Sequence, residues 1–320
     1  KEKINSKKDL SKFAKDLSEL ERKITIFHAK IINDLDIKNQ NYIIGFHGQT
    51  IFHNPLEKIS IQLGDAKLLN QLTKKKVIFN FRKNDILNGG EGAPLTPLFH
   101  QLIVSQKKIK LPICILNIGG ISNITIVNQT NRSDDLYSKD IGPGNCLIDK
   151  WVRINSNEKF DYNGKLASVG KKNDIILEQA QELYNNRMNK NKRSFDVNDF
   201  DISFARGLSI SDGARTLTNF TANLIGEEIV KIILKLNIAI KNILLCGGGR
   251  KNKILINEIQ KYLNSSIKLS LIDDYGINGD FVESQAFAYL AIRSYKNLPL
   301  TFPNTTGCKK PCSGGELIDS

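Results

Sequence analysis

The sequence predicts an α/β fold, because strand-like and helix-like segments alternate along most of the 320 residues. Short apolar runs at 42–46, 113–118 and 242–246 have the length of buried strands. Between them lie segments with apolar residues at helical spacing, the longest at about 214–236. Hydrophobic residues make up 40% of the chain, which is enough for one sizeable core or for two lobes.

The elements are predicted from apolar periodicity and from turn residues. The predicted helices are 10–20 with 24–32, 66–72, 98–103, a helix through 151, 214–236, 252–263 and 281–295. The predicted strands are 42–46, 60–63, 77–81, 111–118, 121–127, a strand ending at Asp140, and 242–246. Turns are expected at 47–50, 88–94 and 140–145, a surface loop at 186–198, a tail that is mostly loop at 297–320, and a tight hairpin around Gly119-Gly120.

The net charge is +13 and the sequence pI is about 9.4. Such an excess of basic over acidic residues is also found in proteins that bind nucleic acids. The basic residues are scattered in short groups at 74–76, 107–108, 190–193 and 309–310, without interleaved aromatic residues. A nucleic-acid-binding function is therefore disfavoured. No run approaches the roughly 20 apolar residues of a membrane span, and the polar, basic residues 1–10 predict no signal peptide.

The five cysteines form no Cys-x-x-Cys pair. Cys114 and Cys246 lie in strand-like runs, which is typical of buried thiols in a reducing compartment, so a cytoplasmic location is expected. Cys308 and Cys312 are spaced like a pair of metal ligands, but there is no second pair and the four histidines lie far upstream. No metal-ligating protein residue is therefore predicted.

Glycine-containing loops follow several predicted strands. Gly119 and Gly120 are flanked by small polar residues, and residues 247–249 lie between a strand and a helix. Because glycine has no Cβ, such loops present backbone N–H groups to a phosphate, or they are only tight turns. Neither loop ends in Gly-Lys-Ser/Thr, and no G-x-G-x-x-G follows a first strand, so a P-loop enzyme and a Rossmann dehydrogenase are disfavoured.

Five polar residues are candidates for chemistry, and each has a plainer alternative. Asp140 precedes Gly-Pro-Gly-Asn and is either a general base or the cap of the next helix. Glu283 lies in the first turn of the last helix, where the helix dipole alone favours an acid. Arg82 and Asp85 bind a polar ligand or form a surface ion pair. His47 is a ligand contact or a turn histidine.

Six segments taken together are far more specific than each of them alone. They read GFHGQTIFHNP at 45–55, FRKNDILNGGEGAPL at 81–95, LNIGGISN at 116–123, DIGPGNCLIDKW at 140–151, LCGGGRKN at 245–252 and ESQAFAYLA at 283–291. In this order, and over about residues 42–315, they resemble the motifs of the anhydro-N-acetylmuramic acid kinase family.

The resemblance implies two ribonuclease-H-like lobes of the actin/hexokinase superfold around an interlobe cleft. It divides the chain into an N-terminal lobe of residues 1–109, completed by about 283–320, and a C-terminal lobe of residues 110–282. The implied enzyme is a cytoplasmic sugar kinase that uses ATP and Mg²⁺ to phosphorylate the 6-oxygen of 1,6-anhydro-N-acetylmuramic acid while water opens the anhydro ring. The product, N-acetylmuramic acid 6-phosphate, belongs to cell-wall recycling. The implied partners are the sugar, ATP and a second copy in a homodimer, with no nucleic acid and no membrane.

The resemblance also assigns roles to individual residues. Asp140 matches the catalytic aspartate that activates the attacking water. Glu283 matches a glutamate that contacts the sugar, and Arg82, Asp85 and His47 fall on the substrate side. The implied ATP-binding residues are Asn117, Gly119, Gly120, Gly142, Gly144, Gly247, Gly248 and Gly249.

The sequence departs from the family pattern in three ways. No segment before Tyr42 resembles G-x-MSGTS-x-DG-x-D, the family's first phosphate loop. We therefore expect an N-terminal truncation that removes the first strands of the N-terminal lobe and leaves this chain inactive as a kinase. Asn80 stands where the family usually has aspartate, and Val197 stands where arginine is expected. These departures keep open the alternative of a degenerate, non-catalytic sugar-binding relative.

Overall fold

The computed structural model describes residue 4 and residues 6–35, 41–187 and 194–319. The chain forms two compact units. Unit 1 consists of Lys1–Phe99 together with Glu283–Ser320, and unit 2 consists of His100–Val282. The lobe boundaries expected from the family resemblance stay predictions.

Strands and helices alternate along the chain, and the predicted α/β class is confirmed. Within the described residues there are ten strands: β1 Ile43–Gly45, β2 Gln49–Asn54, β3 Ile59–Leu63, β4 Lys76–Phe79, β5 Ile113–Ile118, β6 Ile121–Val127, β7 Tyr137–Pro143, β8 Asn242–Cys246, β9 Lys268–Leu271 and β10 Glu316–Ile318. The same part of the chain contains twelve α-helices: α1 Lys7–Lys12, α2 Ala14–Asp34, α3 Ala66–Thr73, α4 Lys83–Leu87, α5 Pro97–Gln106, α6 Cys146–Asn155, α7 Lys165–Val169, α8 Asp174–Arg187, α9 Ile210–Leu236, α10 Lys253–Tyr262, α11 Val282–Tyr295 and α12 Pro303–Thr306.

Unit 2 is built around a five-stranded sheet in the order β7-β6-β5-β8-β9. Strands β5, β6 and β7 form an antiparallel meander, and the first turn of the meander is the predicted hairpin at Gly119-Gly120. Strands β8 and β9 are added parallel to β5, and α10 supplies the crossover that a parallel pair requires. This strand order is that of a ribonuclease-H-like lobe.

Helix α9 provides most of the core that covers this sheet. Ile225, Ile229 and Ile232 recur at about one helical turn and pack in one cluster with buried residues of β5, β6 and β8. Gly226 lets the side chain of Tyr262 lie against the helix, because a Cβ at 226 would overlap it. Among the described residues, no helix has the length and apolar character needed to cross a membrane.

Unit 1 contains a three-stranded sheet in the order β1-β4-β10 and a separate two-stranded sheet of β2 and β3. Strand β1 runs parallel to β4, whereas β10 pairs antiparallel on the other side of β4. Helices α2 and α3 pack against the three-stranded sheet through a cluster that contains Ala29, Phe46, Ala66, Leu69 and Val77.

The turn predicted at 47–50 is only partly correct, because strand β2 already begins at Gln49. Pairing with β3 buries Ile51 and Phe52, and this burial favours the strand over a longer turn. The sequence pattern was ambiguous there because a register shift after Thr50 interrupts the apolar alternation.

The prediction that a strand ends at Asp140 is wrong, since β7 continues to Pro143, which pairs with Ile121 of β6. The loop predicted at 186–198 lies partly outside the described residues. The tail predicted to be mostly loop at 297–320 contains two short elements, α12 and β10, and β10 is ordered by its pairing with β4.

Candidate nucleotide and sugar site

The glycine hairpin between β5 and β6 contacts the turn that follows β7 in unit 2. The N–H of Gly144 donates to the carbonyl oxygen of Gly120 at 2.9 Å, and the N–H of Asn145 donates to that of Gly119 at 2.7 Å. A Cβ on Gly144 would overlap the carbonyl oxygen of Gly119. Packing therefore restricts residue 144 to glycine, and two of the predicted phosphate-side segments lie together.

The third glycine segment, residues 247–249, follows β8 and packs against the same hairpin. Gly247 has φ +77°, and a Cβ there would overlap the side-chain oxygen of Asn117. A Cβ on Gly249 would overlap the side chain of Ile118. Because β5 and β8 are neighbouring parallel strands, their carboxyl ends place both segments at one edge of the sheet.

Three of the predicted ATP-binding glycines, Gly119, Gly120 and Gly248, differ from these tightly packed positions. None of the three has a positive φ. A Cβ at these positions would meet its nearest atom only at 3.4, 3.8 and 3.8 Å. Nothing in the described chain therefore requires glycine there, and the bare backbone allows the close approach that phosphate binding needs. Gly142 is different again, because its φ of +151° itself favours glycine.

Arg250, which sequence reasoning did not select, fixes the shape of this glycine segment. Its guanidinium is buried and donates two hydrogen bonds to the carboxylate of Asp273, at 2.7 and 3.0 Å. It also donates to Asp280 at 2.7 Å and to the carbonyl oxygen of Gly247 at 2.9 Å. These partners raise the pKa of Arg250, with the hydrogen bond to Asp273 as the largest cause. A buried arginine held by two carboxylates is a rigid support. In the sequence, the only indication of this role was a charged residue directly after three glycines.

Asp140 lies within β7, opposite Asn123 of β6, and is buried, with 6% of its surface exposed. Its carboxylate oxygen Oδ2 accepts the backbone N–H of Phe195 at 2.8 Å. A cavity of about 290 Å³ adjoins it, and the charged groups on the cavity wall include Lys139 and Glu228, which form an ion pair at 2.8 Å. A held carboxylate beside an open volume is what a general base requires.

A second cavity of about 290 Å³ lies beside the glycine segment of residues 247–249, in the same unit. Its wall includes Gly248, Asp149 and the half-exposed rings of Phe160 and Tyr162. Burial raises the pKa of Asp149 to about 6, while Arg153 opposes that shift. The sequence analysis missed these two aromatic residues, which were indicated only by their position within a polar segment.

In unit 1, His47 and Arg82 form a hydrogen-bonded pair. Nδ1 of His47 lies 2.8 Å from the carbonyl oxygen of Gly48, so this nitrogen carries the proton. Nε2 accepts from Nε of Arg82 at 3.0 Å, and Nη1 of Arg82 donates to the carbonyl oxygen of Gly92 at 2.5 Å. Burial and then the charge of Arg82 lower the pKa of His47 to about 3, so the imidazole is neutral at physiological pH.

Asp85 is 1% exposed and holds the glycine-rich segment of residues 88–94 from inside. Its Oδ2 accepts the N–H of Gly92 at 2.7 Å, and its Oδ1 accepts the hydroxyl of Thr306 at 2.6 Å. A Cβ on Gly90 would overlap this carboxylate. Asp85 therefore fixes the conformation of this loop, and the alternative of a surface ion pair with Arg82 is wrong.

Glu283 is exposed in the first turn of α11. One turn further on, Phe287 lies against the His47 ring with 4.2 Å between ring centroids. The motif of residues 283–291 is thereby joined to the His47–Arg82 pair within unit 1. The predicted site residues thus form two groups, one in each unit, which we call the glycine group (unit 2) and the histidine group (unit 1).

The two unusual residues of the sequence also have defined places. Asn80 has φ +55°, a left-handed conformation that asparagine tolerates better than most residues. Val197 begins a short 3₁₀ turn, and its Cγ1 would lie 3.8 Å from a Cβ on Gly120. The position where the family resemblance leads us to expect arginine is therefore next to the glycine hairpin.

The sequence was compared with known families and proteins. The model of the family described as "AnmK: Anhydro-N-acetylmuramic acid kinase" matches residues 4–319. A protein of that name from Pelagibacter ubique (strain HTCC1062) is 54% identical over 321 residues, covering 99% of this chain and 85% of the relative. The one from Agrobacterium fabrum is 36% identical, covering 95% and 81%, and the one from Zymomonas mobilis is 37% identical, covering 92% and 79%.

One solved structure, described as "Activator of the 2-Hydroxyisocaproyl-CoA Dehydratase from Clostridium difficile with bound ADPNP", has 12% sequence identity to this chain. The alignment has a TM-score of 0.39 and covers 75% of this chain and 88% of that one. A likeness of this size carries no inference about the present chain.

Proposed function

Because the chain belongs to the anhydro-N-acetylmuramic acid kinase family, we propose that it transfers the γ-phosphoryl group of ATP to the 6-oxygen of 1,6-anhydro-N-acetylmuramic acid. The product is N-acetylmuramic acid 6-phosphate. The observation that carries the proposal is the buried carboxylate of Asp140, held by the N–H of Phe195, on the strand that leads into Gly142 and Gly144 of the glycine group.

In the proposed reaction, Asp140 takes a proton from water while the water oxygen bonds to the anomeric carbon. The bond from that carbon to the 6-oxygen breaks, and the freed 6-oxygen attacks the γ-phosphorus as ADP leaves. Phosphoryl transfer needs positioning and charge stabilisation more than covalent participation of the protein. A carboxylate that accepts a backbone N–H is suited to this role because that bond helps to fix its orientation.

ATP is assigned to the glycine group. The bare backbones of Gly119, Gly120 and Gly248 are proposed to approach the phosphates, with Asn117, Gly142, Gly144, Gly247 and Gly249 shaping the segments. The cavity lined by Phe160 and Tyr162 has space and aromatic surface for the base.

Mg²⁺ is proposed to accompany ATP. The ion prefers oxygen ligands and takes most of them from phosphates and water, so no protein ligand is assigned to it. When bound, it neutralises charge on the phosphates.

The sugar is assigned to the histidine group. Arg82 is proposed to bind its polar atoms, His47 to orient the Arg82 guanidinium beside it, Glu283 to contact the sugar from the start of α11, and Asp85 to position the loop through Gly92. Both ring nitrogens of His47 already have partners, the Gly48 carbonyl oxygen and Arg82, so the neutral imidazole serves to hold the guanidinium in one orientation.

The test is an assay of the protein made from the complete open reading frame that encodes residues 1–320, including any codons that precede them in frame. ATP and the anhydro sugar are expected to give ADP and the 6-phosphate in equal amounts. ATP hydrolysis without sugar phosphate, or sugar binding without turnover, would reject the kinase. The second result would instead indicate the non-catalytic relative.

Three finer expectations belong to this proposal. The 320-residue chain by itself is predicted to be inactive, because no segment of its sequence resembles the family's first phosphate loop; product formation by this chain would show that prediction to be wrong. A homodimer is predicted, and light scattering tests it. A cytoplasmic location is predicted from the role in cell-wall recycling, and cell fractionation tests it.

A further inference from the structure

We propose that Asp85, Cys308 and Cys312 bind one divalent metal ion of the Zn²⁺ type within unit 1. One carboxylate oxygen of Asp85 and the two sulfur atoms all lie within 4.8 Å of one another. In a tetrahedral site with Zn–S bonds of about 2.3 Å, two sulfur ligands are about 3.8 Å apart. The three groups therefore surround a volume of the size that such an ion needs, after small side-chain adjustments.

The chemistry of the three groups suits a borderline or soft cation. Two thiolates select Zn²⁺-type metals over Mg²⁺ or Ca²⁺, and a carboxylate is a common third ligand. The Cys-x-x-x-Cys spacing of residues 308–312 lies within the range of zinc ligand pairs. Three protein ligands leave a fourth position, which water would complete.

Charge provides a second, independent observation. Asp85 is 1% exposed, and its hydrogen bonds in the described residues come from the Gly92 N–H and the Thr306 hydroxyl, without a cationic side chain. A buried carboxylate without a counter-charge is costly. A divalent cation would compensate it, and both existing bonds would remain, because each carboxylate oxygen has a further lone pair.

The framework around the ligands is already fixed. Cys312 exchanges backbone hydrogen bonds with Thr301, and the N–H of residue 309 donates to Asn88. The thiol of Cys308 donates to the hydroxyl oxygen of Thr301 at 3.8 Å, and once the thiol proton is lost the hydroxyl can rotate and donate to the sulfur. Bonds of this kind around the ligands orient them and tune the metal.

A disulfide between Cys308 and Cys312 is the competing explanation, because the sulfur atoms are close. It would use two of the three groups and would leave the carboxylate of Asp85 uncompensated. Metal binding involves all three groups and releases the two thiol protons to solvent, so no oxidant is needed. The site would clip residues 308–312 to α4, and it would share Asp85 with the loop assigned to the sugar, but metal binding can be measured without any assay of kinase activity.

The test uses the full chain, reduced and freed of metal under anaerobic conditions, and titrated with Co²⁺. We expect one Co²⁺ per chain with a cysteinate-to-cobalt charge-transfer band and the visible bands of a tetrahedral ion, both abolished by Zn²⁺. Cys308→Ser with Cys312→Ser should lose these bands, and the matched control Cys146→Ser, in unit 2, should keep them.

Absence of the bands in the unaltered chain, or their persistence in the double variant, would overturn the proposal. If circular dichroism shows that the double variant does not fold, the Co²⁺ bands of the single variant Cys312→Ser are compared with those of the unaltered chain, and their loss in the single variant supports the site. In the unaltered chain, Zn²⁺ is expected to raise the Tm and Mg²⁺ is not. A mass lower by two hydrogen atoms after isolation without reductant, together with no Tm response to Zn²⁺ after reduction, would identify a disulfide instead.

Discussion

The glycine group and the histidine group are held together in different ways. In unit 2, Gly144, Gly247 and Gly249 are fixed because backbone and side-chain atoms leave no space for a Cβ. In unit 1, His47 and Arg82 are fixed by a chain of side-chain hydrogen bonds that ends on Gly92. The first kind of construction fixes the course of the backbone next to Gly120 and Gly248, where phosphate contacts are proposed. The second fixes polar side chains in one arrangement, which under the proposed function would discriminate between sugars.

Asp140 departs from this contrast between a backbone site in unit 2 and a side-chain site in unit 1, because it is the side chain in unit 2 to which a catalytic role is assigned. Asp140→Asn removes the base but keeps an oxygen that can accept the Phe195 N–H. We expect kcat to fall by about 10²- to 10⁴-fold, with little change in nucleotide affinity or in the denaturation midpoint. Steady-state kinetics and nucleotide titration check this.

Asp274→Asn is the matched control for that variant, since Asp274 is an exposed carboxylate that also accepts a backbone N–H, from Leu271 at 3.2 Å. It should leave kcat unchanged. An Asp140→Asn enzyme with normal kcat would remove Asp140 from the reaction and would leave the glycine group with a purely backbone role.

The steric construction of unit 2 predicts opposite effects at two glycines. Gly144→Ala should lower the free energy of unfolding by about 1–3 kcal/mol, because the new methyl group overlaps Gly119. Gly248→Ala should raise it by about 0.4–1 kcal/mol, because its backbone suits alanine and space is available. Urea denaturation measures both changes.

Nucleotide titration of the same pair separates packing from binding. Gly248→Ala is expected to bind an ATP analogue more weakly even though it is the more stable protein, because its methyl group occupies the surface proposed for phosphate. Unchanged affinity in this variant would contradict the assignment of Gly248 to ATP.

The hydrogen-bond chain of unit 1 predicts a selective loss of sugar affinity. Arg82→Lys removes the planar fork that reaches both His47 and Gly92. With about 1.5–3 kcal/mol per charged hydrogen bond, we expect sugar affinity to fall by about 10- to 100-fold with nucleotide affinity unchanged. The neighbouring variant Lys83→Ala loses only an exposed ion pair with Glu316 and should bind sugar normally. Equal losses in both variants would indicate general damage to unit 1.

The last prediction concerns the pH dependence of stability, to which each unit contributes one histidine. Burial lowers the pKa of His100 to about 3, as it does for His47. An unfolded histidine has a pKa of about 6.5. Below that value the unfolded chain binds more protons than the folded chain, so folding stability is complete above about pH 6.5 and falls as the pH drops towards about 3.

Each histidine should contribute a slope of up to about 1.4 kcal/mol per pH unit in that window. Denaturation midpoints of His100→Gln and His47→Gln, measured from about pH 7 to about pH 5, should depend less on pH than those of the unaltered protein. His28, which lies on an exposed face of α2, serves as the control, and His28→Gln should keep the full slope. Equal slopes in all four proteins would show that neither buried histidine resists protonation.

Much of this architecture followed from local sequence patterns. The hairpin at Gly119-Gly120, the long helix α9 and strand β8 were predicted because apolar periodicity and glycine placement determine them locally. Strand β2 was partly missed because a register shift disturbs its alternation. The end of β7 was misplaced because Gly142 and Pro143 are usually turn residues, whereas here pairing with β6 extends the strand.

The relations between distant residues were beyond such patterns. Cys308 and Cys312 were dismissed as metal ligands for want of a further ligand nearby. The third group, Asp85, lies more than 200 residues earlier in the chain, as its bond to Thr306 shows. Arg250 was likewise unremarked because its partners, Asp273 and Asp280, come together only through the fold. Periodicity and turn rules describe neighbours in sequence, and these contacts depend on topology.

The pairing of β10 with β4 has a consequence for synthesis on the ribosome. Glu316 bonds to Lys83 across 233 positions of the chain, so β4 gains its second neighbour only after all of unit 2 has been translated. Until then, one edge of β4 has open N–H and C=O groups, which can pair with another nascent chain. Unit 2 is continuous and can fold as soon as it emerges, whereas unit 1 must wait. Slow translation through unit 2 would therefore lengthen the period in which chaperones have to shield β4.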